Sequence, residues 1–191
     1  MKEKLPTTKN EIHPLLKGRW STRSFSDKAI SNKDLDTILE AASWSASSMN
    51  EQPWHYLVIK KGTPAFNKAI DALMGGNQPW SKNASVLLIS LAKKSFERNG
   101  NANRHAMHDV GAANTTLLLQ AEELEIYGHM MGGFHYDKAL ELFDLDGDKY
   151  EIACFIALGF LDSPEALEEP FKSREIAPRT RKAVREISTN L

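Results

Sequence analysis

Ala46-Ser47-Ser48-Met49-Asn50-Glu51-Gln52-Pro53-Trp54 separates a segment with helical apolar spacing from one that reads as a strand. It is a loop of small polar side chains closed by Pro-Trp, longer than a plain connection needs. Loops of this kind often hold ligands on a rigid scaffold. Singly, Ser47, Ser48, Asn50 and Gln52 also suit a helix-ending loop that bonds its own backbone. Upstream, Arg19-Trp20-Ser21-Thr22-Arg23 alternates, so an extended backbone puts Arg19, Ser21 and Arg23 on one side. Two forked, permanently charged donors and a hydroxyl suit a phosphate and an electron-accepting ring edge. A solvated turn is the competing reading of the same residues.

Outward from these two stretches, the pattern alternates helices and strands. A short helix over residues 12–17 leads into the Arg-rich turn. Ser31 with Asp34 three residues on forms a capping box, and Leu35, Ile38, Leu39 and Ala42 mark a helix to about Trp44. Residues 55–60 read as a strand. Thr63-Pro64 then supplies a cap and a first-turn proline for a helix to about Met74. Residues 75–80 read as loop and 86–92 as a fully buried strand. The longest helix is expected over 105–127, ended by Gly128. A short helix over 137–143 and a strand over 150–158 follow, and the proline- and charge-rich tail from Asp162 reads as an extended arm. Taken alone, this alternation suggests a doubly wound parallel sheet. No Gly-rich dinucleotide turn follows any strand, so the pattern fixes a sheet with helices but not its topology.

The chain of 191 residues is expected to form one domain over 1–191. Its 24 Lys plus Arg balance 25 Asp plus Glu at net charge −1, which gives no reason to propose nucleic acid or an anionic membrane as partner. The N-terminus carries Lys2, Glu3, Lys4, Lys9 and Glu11 with no apolar signal core, and no run approaches bilayer-spanning length. The single cysteine, Cys154, lies in an apolar run and reads as buried filler in a reducing compartment, so the expected location is cytoplasmic.

Further motifs have both a plain and a functional reading. Gly132-Gly133 marks a turn, or a place where backbone amides approach a ligand closely. Arg174, Arg179, Arg181, Lys182 and Arg185 give the tail a positive excess, either a solvated face or a second hand on a phosphate. His105 and His108, followed by Asp109, are too few for a metal site, and the two histidines read as surface or capping groups. Asp144-Leu145-Asp146-Gly147-Asp148 mimics a calcium loop, but its glycine is misplaced and Phe155 stands where a bidentate Glu belongs, so it reads as a turn.

From Arg19 to Ile187 these segments, in this order, resemble the nitroreductase family. The resemblance is strongest over 19–25, 45–54, 76–80, 111–133, 157–159 and 178–187. It implies an α+β fold, with a mixed central sheet flanked by helices and a C-terminal arm exchanged in a homodimer. It further implies FMN at the dimer interface and NADH or NADPH as electron donor. The implied activity is ping-pong hydride transfer through FMN to small electron-poor acceptors such as nitroaromatics or quinones. Other flavin chemistry (flavin reduction or dehalogenation), or a flavin-binding module with little turnover, are the alternatives. The implied cofactor-binding set is Arg19, Trp20, Ser21, Arg23, Ser47, Ser48, Asn50, Gln52, Asn77, Gly132, Gly133, Arg179 and Arg181, with Ser47, Ser48 and Asn50 supplied by the opposite subunit. Arg23 is implied to stabilise the reduced ring, and Lys172 with Arg174 is a second choice for the phosphate. Three positions depart from the family pattern: Trp20 replaces a common basic residue, Ala46 a frequent proline, and Gly132 an acidic residue of some relatives. No catalytic side chain and no metal are expected, since the flavin carries the chemistry.

Overall fold

β2 (Val86–Lys93) and β4 (Tyr150–Phe160), two apolar strands, form the middle of a sheet ordered β1-β2-β4-β3. Its edges are β1 (Trp54–Lys60) and β3 (Ile126–Met131). A computed structural model describes residues 4–191, so Lys2 and Glu3 of the N-terminal reading lie outside the described residues. Every ladder is antiparallel: Trp54 pairs with Ala92, Val86 with Leu158 and Ile126 with Phe160. The doubly wound parallel expectation is therefore corrected. Continuous apolar runs report a sheet covered on both faces, and that property is shared by either strand direction.

Two-residue alternation divides the central strands between two cores. Leu87, Ile89, Leu91, Phe155 and Ala157 face one side, where they meet Phe66, Leu73, Trp80 and Ala139. Leu88, Ile156 and Leu158 face the other, against Leu35, Ile38, Ala113, Leu117 and Leu118. Helices cover both faces, as the α+β expectation requires. In chain order they are α1 (Pro14–Gly18), α2 (Asn32–Ser43), α3 (Pro64–Ala72), α4 (Gln78–Ser81), α5 (Ala106–Glu123), α6 (Tyr136–Leu142), α7 (Phe171–Ile176) and α8 (Val184–Ile187).

The caps read from sequence are in place. The Ser31 hydroxyl accepts from Asp34 N at 3.1 Å, and the Thr63 hydroxyl from Phe66 N at 3.3 Å. Asp146 Oδ1 accepts from Asp148 N at 2.9 Å, forming the turn before β4. Burial pushes the Cys154 thiol up to about 12.

Three element boundaries differ from expectation. α4 occupies part of the expected loop over 75–80, because Trp80 is drawn into the core at 1% exposure. α5 stops at Glu123; Glu125 takes a left-handed φ of 56° and the chain turns at once into β3. Gly128 is thus a strand residue, and its missing side chain serves packing: a Cβ would sit 2.2 Å from Leu118 Cδ2 and 2.9 Å from Leu158 Cδ2. The tail is also less extended than expected, forming α7 and α8 and burying Leu167 against the core.

Candidate functional site

The segment 19–23 runs extended from the end of α1, and its alternation is realised. Trp20, Thr22 and Ser24 are buried, while Arg19, Ser21 and Arg23 face outward. Two buried groups fix the inner side. Glu175 of α7, 3% exposed, accepts from Trp20 Nε1 at 3.1 Å, Thr22 Oγ1 at 2.7 Å and the Arg23 amide at 2.9 Å. His129 of β3 places Nδ1 2.9 Å from the Thr22 carbonyl and packs its ring 4.5 Å from that of Trp80. Burial, aided by the nearby Arg23 charge, holds the His129 pKa down at about 4. The imidazole is therefore neutral near pH 7 and donates Nδ1–H to Thr22.

Arg23 holds its guanidinium 5.8 Å from the centroid of the Trp80 ring. Burial depresses its pKa, with the Glu175 carboxylate opposing that effect. Arg19 is likewise half-buried and depressed by burial and by the Arg181 charge, with Glu122 opposing. Neither guanidinium donates a hydrogen bond or forms an ion pair among the described residues. In each case burial outweighs the neighbouring carboxylate and no contact ion pair forms, so both cations would be stabilised further by an added anion.

Arg19 and Arg181 line one cavity of about 810 Å³, bounded by residues 6–10, Ile12, Leu16 and the arm. Arg179 lines it too, but its guanidinium clamps the end of α1. Nη2 donates to the Arg19 carbonyl at 2.7 Å, and Nη1 to the carbonyls of Lys4 (3.2 Å) and Lys17. Arg179 thus spends part of its donor set on backbone carbonyls of its own chain. Lys172 is similarly committed, in an ion pair with Glu165. The buried Trp20 ring packs 4.7 Å from that of Tyr127 on the inner side, opposite the face of Arg19 and Arg23.

Asn77 and Gly133 come together, with Asn77 Nδ2 donating to the Gly133 carbonyl at 2.9 Å and Met74 N to the same oxygen at 3.0 Å. A Cβ at Gly132 would meet nothing within 4 Å. No hydrogen bond from the Gly132 or Gly133 amide is present among the described residues.

The loop 47–52 is built elsewhere. Met49, Asn50 and Gln52 all take left-handed φ, at 57°, 55° and 52°. Ser48 N donates to the buried Asp109 at 2.9 Å, Ser47 Oγ accepts from Gln52 N at 3.0 Å, and Gln52 Nε2 donates to the Asn50 carbonyl at 3.3 Å. Asp109 lies in the first turn of α5, whereas Glu122, beside Arg19, lies in its last. At ~1.5 Å of rise per residue, those anchors stand about 20 Å apart along the helix. One chain therefore does not bring the loop and the Arg-rich strand to one small ligand. Glu175 and His129 carry no motif in the sequence, since a lone buried acid or histidine gives none, and Asp109, weighed only as a metal ligand, instead holds the Ser48 amide.

The sequence profile of the nitroreductase family matches residues 16–75 and 60–160. A Haemophilus influenzae protein named for NAD(P)H nitroreductase activity is 28% identical over 94% of this chain and 96% of its own length. A solved oxidoreductase containing FMN superimposes with a TM-score of 0.90 at 30% identity, over 96% of this chain and 93% of that one. A nitroreductase from Desulfovibrio desulfuricans, solved with FMN, gives 0.74 over 95% and 98% at 23% identity, a level that speaks for the fold alone.

Proposed function

Because this chain belongs to the nitroreductase family, we propose that it works as an FMN-dependent NAD(P)H oxidoreductase whose acceptors are nitroaromatics or quinones. Two half-buried guanidinium groups with no contact ion pair, on one face of the extended segment 19–23, carry the reading. The residues present fit FMN. Arg19 and Arg181 suit the phosphate, Ser21 the ribityl chain and Arg23 the pyrimidine end. A Cβ at Gly132 would meet nothing within 4 Å, and neither the Gly132 nor the Gly133 amide donates a hydrogen bond among the described residues, which leaves both donors for the edge of a flat ring. When bound, FMN supplies two-electron chemistry, accepting hydride from NADH or NADPH and passing electrons to the acceptor.

The protein's own part is binding and electrostatics. Arg23 presents a fixed positive charge where negative charge develops on reduction, in a partly desolvated setting that strengthens the interaction. Asn77, held by the Gly133 carbonyl, keeps one amide hydrogen and its oxygen for the ligand. The donor and acceptor are proposed to take turns on the same exposed face, giving ping-pong turnover.

The 20 Å separation along α5 supports a homodimer in which Ser47, Ser48 and Asn50 reach the partner's Arg-rich strand. Trp44, Met49, Val184 and Ile187, exposed at 82, 67, 61 and 70%, are apolar side chains such an interface would cover. The arm up to Arg181 lies on its own chain, so exchange of the arm is proposed for the segment beyond it. No helix among the described residues is long and apolar enough to cross a membrane; a cytoplasmic location is proposed on the single buried thiol.

Anaerobic titration of the FMN-loaded protein with NADH and then NADPH tests the proposal. Bleaching of the flavin absorbance and its recovery on adding a quinone or nitroaromatic are expected. Arg23→Ala is expected to weaken FMN retention or slow reduction at least tenfold with an unchanged far-UV spectrum. Full retention and full rate in that variant would remove Arg23 from its role.

A further inference from the structure

We propose that Glu175 is a positioning residue that locks the facing of the extended segment 19–23 and thereby sets how Arg23 meets the flavin. The proposal rests on the FMN reading above. Glu175 is a carboxylate at 3% exposure that feels the Arg23 and Lys4 charges yet spends its oxygens on three neutral donors and makes no contact ion pair among the described residues. Taking a carboxylate out of water is costly, and a fold that only needed to fill the space under Trp20 would use an apolar side chain. Instead, Oε1 takes the Trp20 indole and Thr22 hydroxyl protons, and Oε2 takes the Arg23 amide proton.

These donors come from consecutive inward positions and from the backbone of the residue whose charge matters. His129 completes the set by binding the Thr22 carbonyl. A slip of one residue would exchange Arg19, Ser21 and Arg23 for Trp20, Thr22 and Ser24 on the ligand side. With its inward side chains and the Arg23 amide bonded to one carboxylate, that slip is blocked. The lock is supplied by α7, so the same arm that carries Arg181 to the phosphate cavity also holds the strand opposite it.

The test compares wild type with Glu175→Gln, Arg23→Gln and the double variant. Gln keeps an acceptor for Trp20 and Thr22 but turns an NH₂ toward the Arg23 amide. In the ligand-free protein, the Trp20 indole ¹⁵N–¹H resonance should move upfield in Glu175→Gln as its acceptor loses charge. In the FMN-loaded protein, preference for the reduced over the oxidised cofactor should fall about tenfold, a drop of ~30 mV in midpoint potential. The double variant should fall no further than Arg23→Gln alone. Thr22→Val, which removes one donor to the same carboxylate, should shift the potential in the same direction and serves if Glu175→Gln does not fold. An unchanged potential despite a moved indole signal, or additive shifts in the double variant, would overturn the positioning role while leaving the FMN reading intact. A wild-type protein that takes up no FMN would overturn both.

Discussion

Acidification should cost this protein about 3 kcal/mol of stability through His129 alone. Its pKa falls from 6.5 to about 4 in the folded state, chiefly because burial disfavours the charged ring, with the Arg23 charge adding to the effect. The Thr22 carbonyl and Glu175 act in the opposite sense and do not offset it. A lowered folded-state pKa means that the unfolded chain binds the proton first. The contribution is thus fully present above pH 6.5 and drains away as the pH falls toward 4. At ~1.4 kcal/mol for each pKa unit, the difference comes to about 3 kcal/mol. The measurement is the urea unfolding free energy between pH 7 and pH 4 for wild type and for His129→Gln, which retains an N–H for the Thr22 carbonyl but does not titrate. Carboxylates contribute equally to both proteins, so the wild type should lose about 3 kcal/mol more than the variant. Parallel losses would refute the reasoning.

Two further outcomes follow from the packing. Gly128→Ala drives a methyl into Leu118 and Leu158 and should cost about 1–3 kcal/mol, read as a lower thermal midpoint with an unchanged fold. Asp109→Ala leaves the Ser48 amide without its acceptor and should cost about 1–3 kcal/mol; faster amide exchange confined to residues 47–52 and the first turn of α5 is the expected signature.

Much of the scaffold was legible because it depends on local chemistry. Ser31 and Thr63 cap their helices through their own side chains, and the outward face of 19–23 follows from two-residue alternation. What failed depended on distant partners. Strand direction in β2 and β4 was not legible, because burial on both faces produces the same apolar runs whichever way the neighbours run. Gly128 was read as a helix terminator because its need for small size comes from Leu118 and Leu158, of which only the first is near in sequence. The bonds from Trp20 to Glu175 and from Arg179 to backbone carbonyls at the end of α1 were equally hidden, since they span more than a hundred and fifty residues.

The loop 47–52 shows why composition alone pointed to a site. Three residues with side chains held at left-handed φ each cost on the order of 1 kcal/mol, and such conformations persist only where the surroundings over-determine them. Here the surroundings are Asp109 beneath Ser48, the Ser47 hydroxyl on the Gln52 amide, and Glu51, whose carboxylate takes the Glu97 amide at 2.6 Å. A connector under no selection would relax by placing glycine at one of these positions. The strain is kept although Met49 is two-thirds exposed, which fits the proposed role of this loop at a partner's site. In the homodimer proposed above, the rigid loop at one end of α5 and the cationic segment at the other would be two halves of a binding surface, each joined to its complement by a two-fold pairing of chains.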